Sequence, residues 1–165
     1  MLLTSQQSVY GTATVGAIYH KVIATIVFDS KTNQFMYLSE NERNINFLED
    51  EIVANQTHEV TISKMINNNL GINVRLTRKL GDSVSYYYFD TLHQINKKIE
   101  MLGYFVVIGE KILNVGSINK DIKWSTFESL LEKLQNPLFI QNPKFQGYTE
   151  IFQRAQKVKL QIMLS

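Results

Sequence analysis

One segment, "THEVTISKMINNNLGI", constrains the fold more than any other, because its apolar residues fall at helical spacing while the chain on both sides is rich in β-branched and aromatic residues. Val60, Ile62, Met65, Ile66 and Leu70 approximate one stripe of a helix over residues 57–70. Gly71 supplies a stop, since glycine takes the left-handed backbone that ends helices, and Asn55 or Thr57 is placed to cap the start. A helix with a single apolar face must bury it on something. Strands before and after it in the chain provide a sheet for that purpose.

The strands are read from residue type and turn signals. "VGAIYHKVIATIVFD" is a dense β-forming run, the cluster "SKTNQ" turns the chain, and "FMYLS" follows, which predicts strands near 14–18, 22–28 and 34–38. Residues 39–54 are polar and acidic around an apolar centre at 45–48, and suit a long loop or an irregular strand that could wall a site. Beyond the helix come "INVRLTRKL", a Gly81-Asp82 turn, "SVSYYYFD", a loop around 91–96 and "KKIEMLGYFVVIGEKI", three strands with a hairpin between the last two. In the tail, "STFESLLEKL" carries Ser125 and Glu128 at capping-box spacing ahead of Leu130, Leu131 and Leu134, with Pro137 just beyond its end. A second tail helix is expected over about 148–160, where Ile151, Phe152, Ala155 and Val158 recur at helical spacing. The order β-β-β-α-β-β-β-α-α describes one α+β domain whose mixed sheet is covered by the 57–70 helix on one side and the tail helices on the other.

At 165 residues, with 44% hydrophobic and 19% charged, the chain has the makeup of one globular domain with a real core. A net charge of +2 with no block of like charge points to neither nucleic acid nor a membrane surface. The absence of cysteine excludes disulfides, thiolate metal sites and cysteine nucleophiles. No secretory leader is recognisable and no apolar run approaches the ~20 residues of a membrane span, so a soluble cytoplasmic protein is the expectation.

The element order, with a helix that follows an acidic loop and ends in Leu-Gly-Ile before a strand, resembles the Nudix hydrolases, whose signature is G-x5-E-x7-R-E-U-x-E-E-x-G-U with U a bulky aliphatic. The closing G-U falls on Gly71 and Ile72, and the middle U on Ile66. The resemblance covers about 15–134, including "KKIEMLGYFVV" and "IKWSTFESLLEKL", which are similar to parts of the diadenosine-tetraphosphate and nucleoside-diphosphate branch. It implies a MutT-like α/β/α sandwich spanning 1–165 as a single domain, with 135–165 a helical extension.

The chemical positions of the signature depart from it. Its Arg-Glu pair falls on Lys64 and Met65, its paired glutamates on Asn68 and Asn69, its earlier Glu on Gln56, and its leading Gly on Asp50. Positions 65, 68 and 69 share one helix face, where carboxylates would converge on a divalent cation. With two amides and a thioether there, the face carries about three fewer negative charges, and no tight metal site is expected. Each asparagine also costs roughly 0.5 kcal/mol of helix propensity against alanine.

Other residues bound what the chain could do. Glu49, Asp50, Glu51, Glu59 and Glu100 are carboxylates that could replace the lost ligands, in which case Mg²⁺ would be the cofactor, although an acidic run in a loop is usually solvated. Lys64, Lys97 and Lys98 could hold phosphates as point charges, and Tyr86 and Tyr88, on one face of their strand, could stack on a base or simply enter the core. His20, His58 and His93 stand in separate segments at no metal-ligand spacing. The functional expectation is a nucleotide-binding or regulatory module lacking ordinary pyrophosphohydrolase activity. The alternatives are an active hydrolase of a nucleoside diphosphate linked to another moiety, or a structural subunit with a protein partner or a second copy of itself.

Overall fold

The computed structural model describes residues 8–10, 17–40, 44–90, 92–111, 119–137 and 142–164. In chain order the elements are β1 (Ser8–Tyr10), β2 (Ile18–Asp29), β3 (Gln34–Leu38), β4 (Leu48–Glu51), α1 (His58–Leu70), β5 (Ile72–Lys79), β6 (Val84–Asp90), β7 (Ile95–Lys111), β8 (Ile122–Ser125), α2 (Phe127–Leu134) and α3 (Pro143–Leu164). Among the described residues the eight strands form one mixed sheet.

Its spine is the parallel pair of β2 and β7, in register from Ile18↔Lys97 to Phe28↔Val107. The outer edge of β2 is shared by β4 and β3, and that of β7 by β6 and β5, all antiparallel. β1 extends β6, and β8 extends β3. Residues from Val22 to Phe28 are all buried because both faces of the sheet are covered, the environment that continuous apolar strands require. Alternation then sorts them: Ile23 and Val27 pack with α1, while Ala24, Ile26 and Phe28 join the core under α2 and α3. The sandwich with a mixed sheet is therefore as the sequence indicates.

α1 forms where its stripe predicts. Thr57 caps it, its hydroxyl accepting from the Val60 N–H at 3.2 Å, and Gly71 ends it at φ 63° with its N–H donating to the Asn67 carbonyl at 2.8 Å. Ile62, Met65, Ile66 and Leu70 lie in the core cluster on that side of the sheet.

Four differences from the sequence reading have local causes. Within 39–54 the chain forms the regular strand β4, because Leu48 to Glu51 pair with β2 in register Thr25↔Leu48 through Val22↔Glu51. Ser125 is not the cap of α2: it is buried at the end of β8, paired opposite Phe35, so the helix starts one residue later and the Thr126 hydroxyl accepts from the Ser129 N–H at 3.3 Å. α3 is longer than 148–160, because Pro143 suits a first helical position and the Asn142 side chain accepts from the Lys144 N–H at 2.9 Å. Of the strand expected at 14–18, residues 14–16 lie outside the described residues, and Ile18 already belongs to β2.

α3 is a full member of the core. Phe152 is completely buried, with ring centroids 4.8 Å from Phe127, 5.0 Å from Phe35 and 5.9 Å from Phe47. Gly103 lets the helix approach β7, since a Cβ there would lie 2.5 Å from Ile151 Cγ2. No helix among the described residues is long and apolar enough to cross a membrane.

Candidate functional site

The C-terminal end of α1, the 44–49 segment and the start of α3 enclose a cleft of about 520 Å³. Asn44, Asn46, Glu49, Asn69, Asp121 and Tyr148 supply most of its polar lining, with Glu40 at its edge. Tyr148, fully buried on α3, donates its hydroxyl to Glu49 Oε1. Burial first, and the Glu49 charge second, push this phenol well above the ordinary tyrosine range, so it stays a proton donor to the carboxylate. Lys144 reaches the same wall: its ammonium donates to Asn46 Oδ1 at 3.2 Å and lies 5.4 Å from the Tyr148 ring centroid.

Asn69 has a structural task here. Its Nδ2 donates to the Met65 carbonyl at 2.8 Å, its Oδ1 accepts from Asn119 Nδ2 at 3.2 Å, and its backbone carbonyl accepts from the Asn119 N–H at 3.0 Å. Asn119 Oδ1 in turn accepts from the Asp121 N–H at 2.9 Å, and the Asp121 carbonyl accepts from the Ser39 N–H at 2.9 Å. A chain of hydrogen bonds thus ties the end of α1 across the cleft floor to the end of β3. Asn69→Ala is expected to cost about 1–2 kcal/mol and to speed amide exchange at Asp121, whereas Asn68→Ala, at an exposed position with no such bonds, stays within about 0.5 kcal/mol of wild type. Chemical denaturation with hydrogen exchange distinguishes the two.

The remaining sequence candidates separate clearly. Gln56 and Lys64 meet, the Lys64 ammonium donating to Gln56 Oε1 at 3.5 Å while Gln56 Nε2 donates to Thr61 Oγ1 at 2.8 Å. Met65 is 5% exposed inside the apolar cluster of α1. Of the acidic run only Glu49 lines the cleft; Asp50 accepts from the Glu51 N–H, and the exposed Glu51 carboxylate faces His20 at 3.3 Å. Glu59 is exposed in the first turn of α1, and Glu100 accepts from the Ser83 hydroxyl at 2.8 Å. Lys97 pairs with Asp90 at 3.2 Å, and Lys98 lies over the rings of Tyr19 and Tyr87. Asp90 also accepts from His93, and that bond holds its carboxyl at about 2. Tyr86 and Tyr88 pack in and against the main core cluster rather than in the cleft.

Tyr148, Lys144, Asn46 and Asp121 were not singled out from the sequence. Their membership rests on contacts such as Tyr148–Glu49 and Lys144–Asn46, 99 and 98 residues apart, for which no local pattern exists.

The same architecture occurs in solved proteins. The chain is similar to a MutT protein from Methanosarcina mazei Go1, with TM-score 0.59 and 10% identity over 88% of this chain and 99% of that one. It is similar to a mutator MutT protein from Bacillus halodurans, with TM-score 0.51 and 18% identity over 68% of this chain and 72% of that one. The ORF135 protein of E. coli matches over 90% of this chain and 96% of its own, with TM-score 0.53 and 11% identity. No protein-family model and no curated protein matches the sequence. The chain has the Nudix fold.

The metal that a Nudix box implies does not fit these residues. A cation the size of Mg²⁺ takes hard oxygens at about 2.1 Å, commonly from carboxylates. Here the glutamate of the box's Arg-Glu pair is replaced by a thioether in the apolar core, Met65, and the amide oxygen of Asn69 already accepts from Asn119. Among the described residues no three His, Asp or Glu side chains converge closely enough to hold a metal ion.

Proposed function

We propose that this chain is a Nudix-fold binding module that does not carry out metal-dependent pyrophosphate hydrolysis. The observation that carries the reading is Met65: the position at which the box presents a carboxylate is turned into the core, 5% exposed. The two neighbouring positions are amides, one of them bonded within the fold.

The cleft favours a nucleoside or nucleotide engaged through its base and sugar. The side-chain amides of Asn44 and Asn46 offer donors and acceptors to such groups, whereas Glu40, Glu49 and Asp121 outnumber the Lys144 cation on the same walls and oppose phosphate. Glu49 also supports a second reading, a hydrolase with a displaced carboxylate, because it is the sequence-predicted substitute that lines the cleft.

Calorimetric titration separates them. The expected result is no saturable Mg²⁺ binding at micromolar concentrations, and adenosine binding at least as tightly as ADP with no effect of added Mg²⁺. Micromolar Mg²⁺ affinity that disappears in Glu49→Gln supports the displaced-carboxylate enzyme instead.

A further inference from the structure

At the opposite end of β3 from the cleft, where the β2–β3 hairpin faces the C-terminal turns of α3, lies a pocket of about 290 Å³, near the lower limit of small-ligand sites. Its walls are largely apolar, with Phe28, Leu76, Phe105 and Val107 rising from the sheet. Two cations line it, Lys159 from α3 and Arg75 from β5.

Lys159 is 7% exposed, a rare state for a lysine unless it is paired. Its ammonium lies 4.9 Å from the ring centroid of Phe28 and 5.6 Å from that of Phe35, so part of its charge is met by aromatic faces. It forms no hydrogen bond or ion pair with any described residue. The nearest acid in the hairpin is already engaged: Asp29 accepts from the Lys31 N–H and from the Thr32 hydroxyl, each at 3.0 Å. The exposed guanidinium of Arg75 makes no ion pair with a described residue either. A buried cation with no anion among the described residues, in apolar walls that a second cation also lines, is chemically matched to a negative head on an apolar body.

The geometry points to a binding site for a small carboxylic acid with an apolar body, its carboxylate meeting Lys159 and Arg75 and its body lying on Phe28, Phe105 and Val107. A single buried ammonium neutralises one negative charge, which favours a carboxylate over a doubly charged phosphate monoester. This assignment is independent of what the cleft near Tyr148 binds.

The test uses the full chain with octanoate, octanol, octylamine and octyl phosphate, followed by calorimetry and by amide chemical shifts. Octanoate is expected to bind saturably and to shift the amides of Phe28, Leu76 and Phe105 while leaving those of Asn46 and Tyr148 unmoved. Lys159→Met, which keeps the stem but removes the charge, should weaken octanoate by about tenfold or more and Arg75→Gln by less, in accord with a charge-assisted hydrogen bond. Lys159→Arg should retain binding, which keeps the proposal testable if the methionine variant folds poorly. The proposal is overturned if octanoate does not saturate at millimolar concentration or if octanol or octylamine binds as tightly. It is equally overturned if Lys159→Met binds unchanged, or if octyl phosphate is preferred by a factor of ten.

Discussion

Met65→Glu is expected to lower the melting temperature by about 10 °C, because it installs the box carboxylate at a position that this fold has turned into its core. Met65 belongs to the apolar cluster that also holds Ile62, Ile66 and Val106, a setting that offers a new carboxylate no polar partner. A carboxyl placed there stays neutral and still costs roughly 3 kcal/mol for an unpaired polar group, and ionising it costs more. The pH dependence follows from the sign of that shift. Burial raises the carboxyl pKa in the folded state above its unfolded value of about 4.3, so the folded state binds the proton more tightly and the penalty grows as pH rises above that value. Melting curves at pH 4.5 and pH 8 should therefore diverge from wild type more at the higher pH. A variant as stable as wild type that also gains Mg²⁺ affinity would mean that position 65 faces the cleft after all.

Phe152→Ala should be comparably damaging, at about 3–5 kcal/mol, for a different reason. Its ring joins three elements and a loop: Phe127 of α2, Phe35 of β3, its own α3, and Phe47 just ahead of β4. Removing it leaves a cavity that aromatic neighbours cannot fill without leaving their rotamers. Phe47, which also packs edge-on to Tyr148 at 5.0 Å, would loosen the cleft wall as well. Urea unfolding should show the loss of stability, and reduced protection of the amides around Asn46 should accompany it. A cost below about 1 kcal/mol would show that α3 is not a structural part of the core.

What the sequence revealed depended on how local the cause was. α1 was legible because a helical stripe, a capping threonine and Gly71 all lie within fifteen residues of chain. The spine strands were legible because both faces are buried and the run is continuously apolar. β8 was not: its four residues adjoin α2, and only pairing with β3 makes them a strand. The site divides in the same way. The shared face of residues 65, 68 and 69 could be counted from helical spacing, and the apolar stripe already included Met65. That Asn69 holds Asn119 could not be read, because the two are 50 residues apart and the link is made by tertiary packing. Lys97, Lys98, Tyr86 and Tyr88 carried the right chemistry for a nucleotide, but the register of β6 on β7 sets Lys97 against Asp90 and Tyr88, Lys98 over Tyr19 and Tyr87, and Tyr86 beside Tyr88.

This Nudix fold is expected to bind its ligand without metal-dependent cleavage. Such cleavage needs a cation to polarise the pyrophosphate and lower the pKa of the attacking water, and the box positions here supply a buried thioether and amides in its place. The direct measurement is product release from ADP-ribose, diadenosine tetraphosphate and nucleoside triphosphates by the wild-type chain, with and without Mg²⁺. Background rates are expected in every case, with no recovery in Asn68→Glu with Asn69→Glu while Met65 and Gln56 remain. Mg²⁺-dependent turnover by the wild-type chain, abolished in Glu49→Gln, would contradict it.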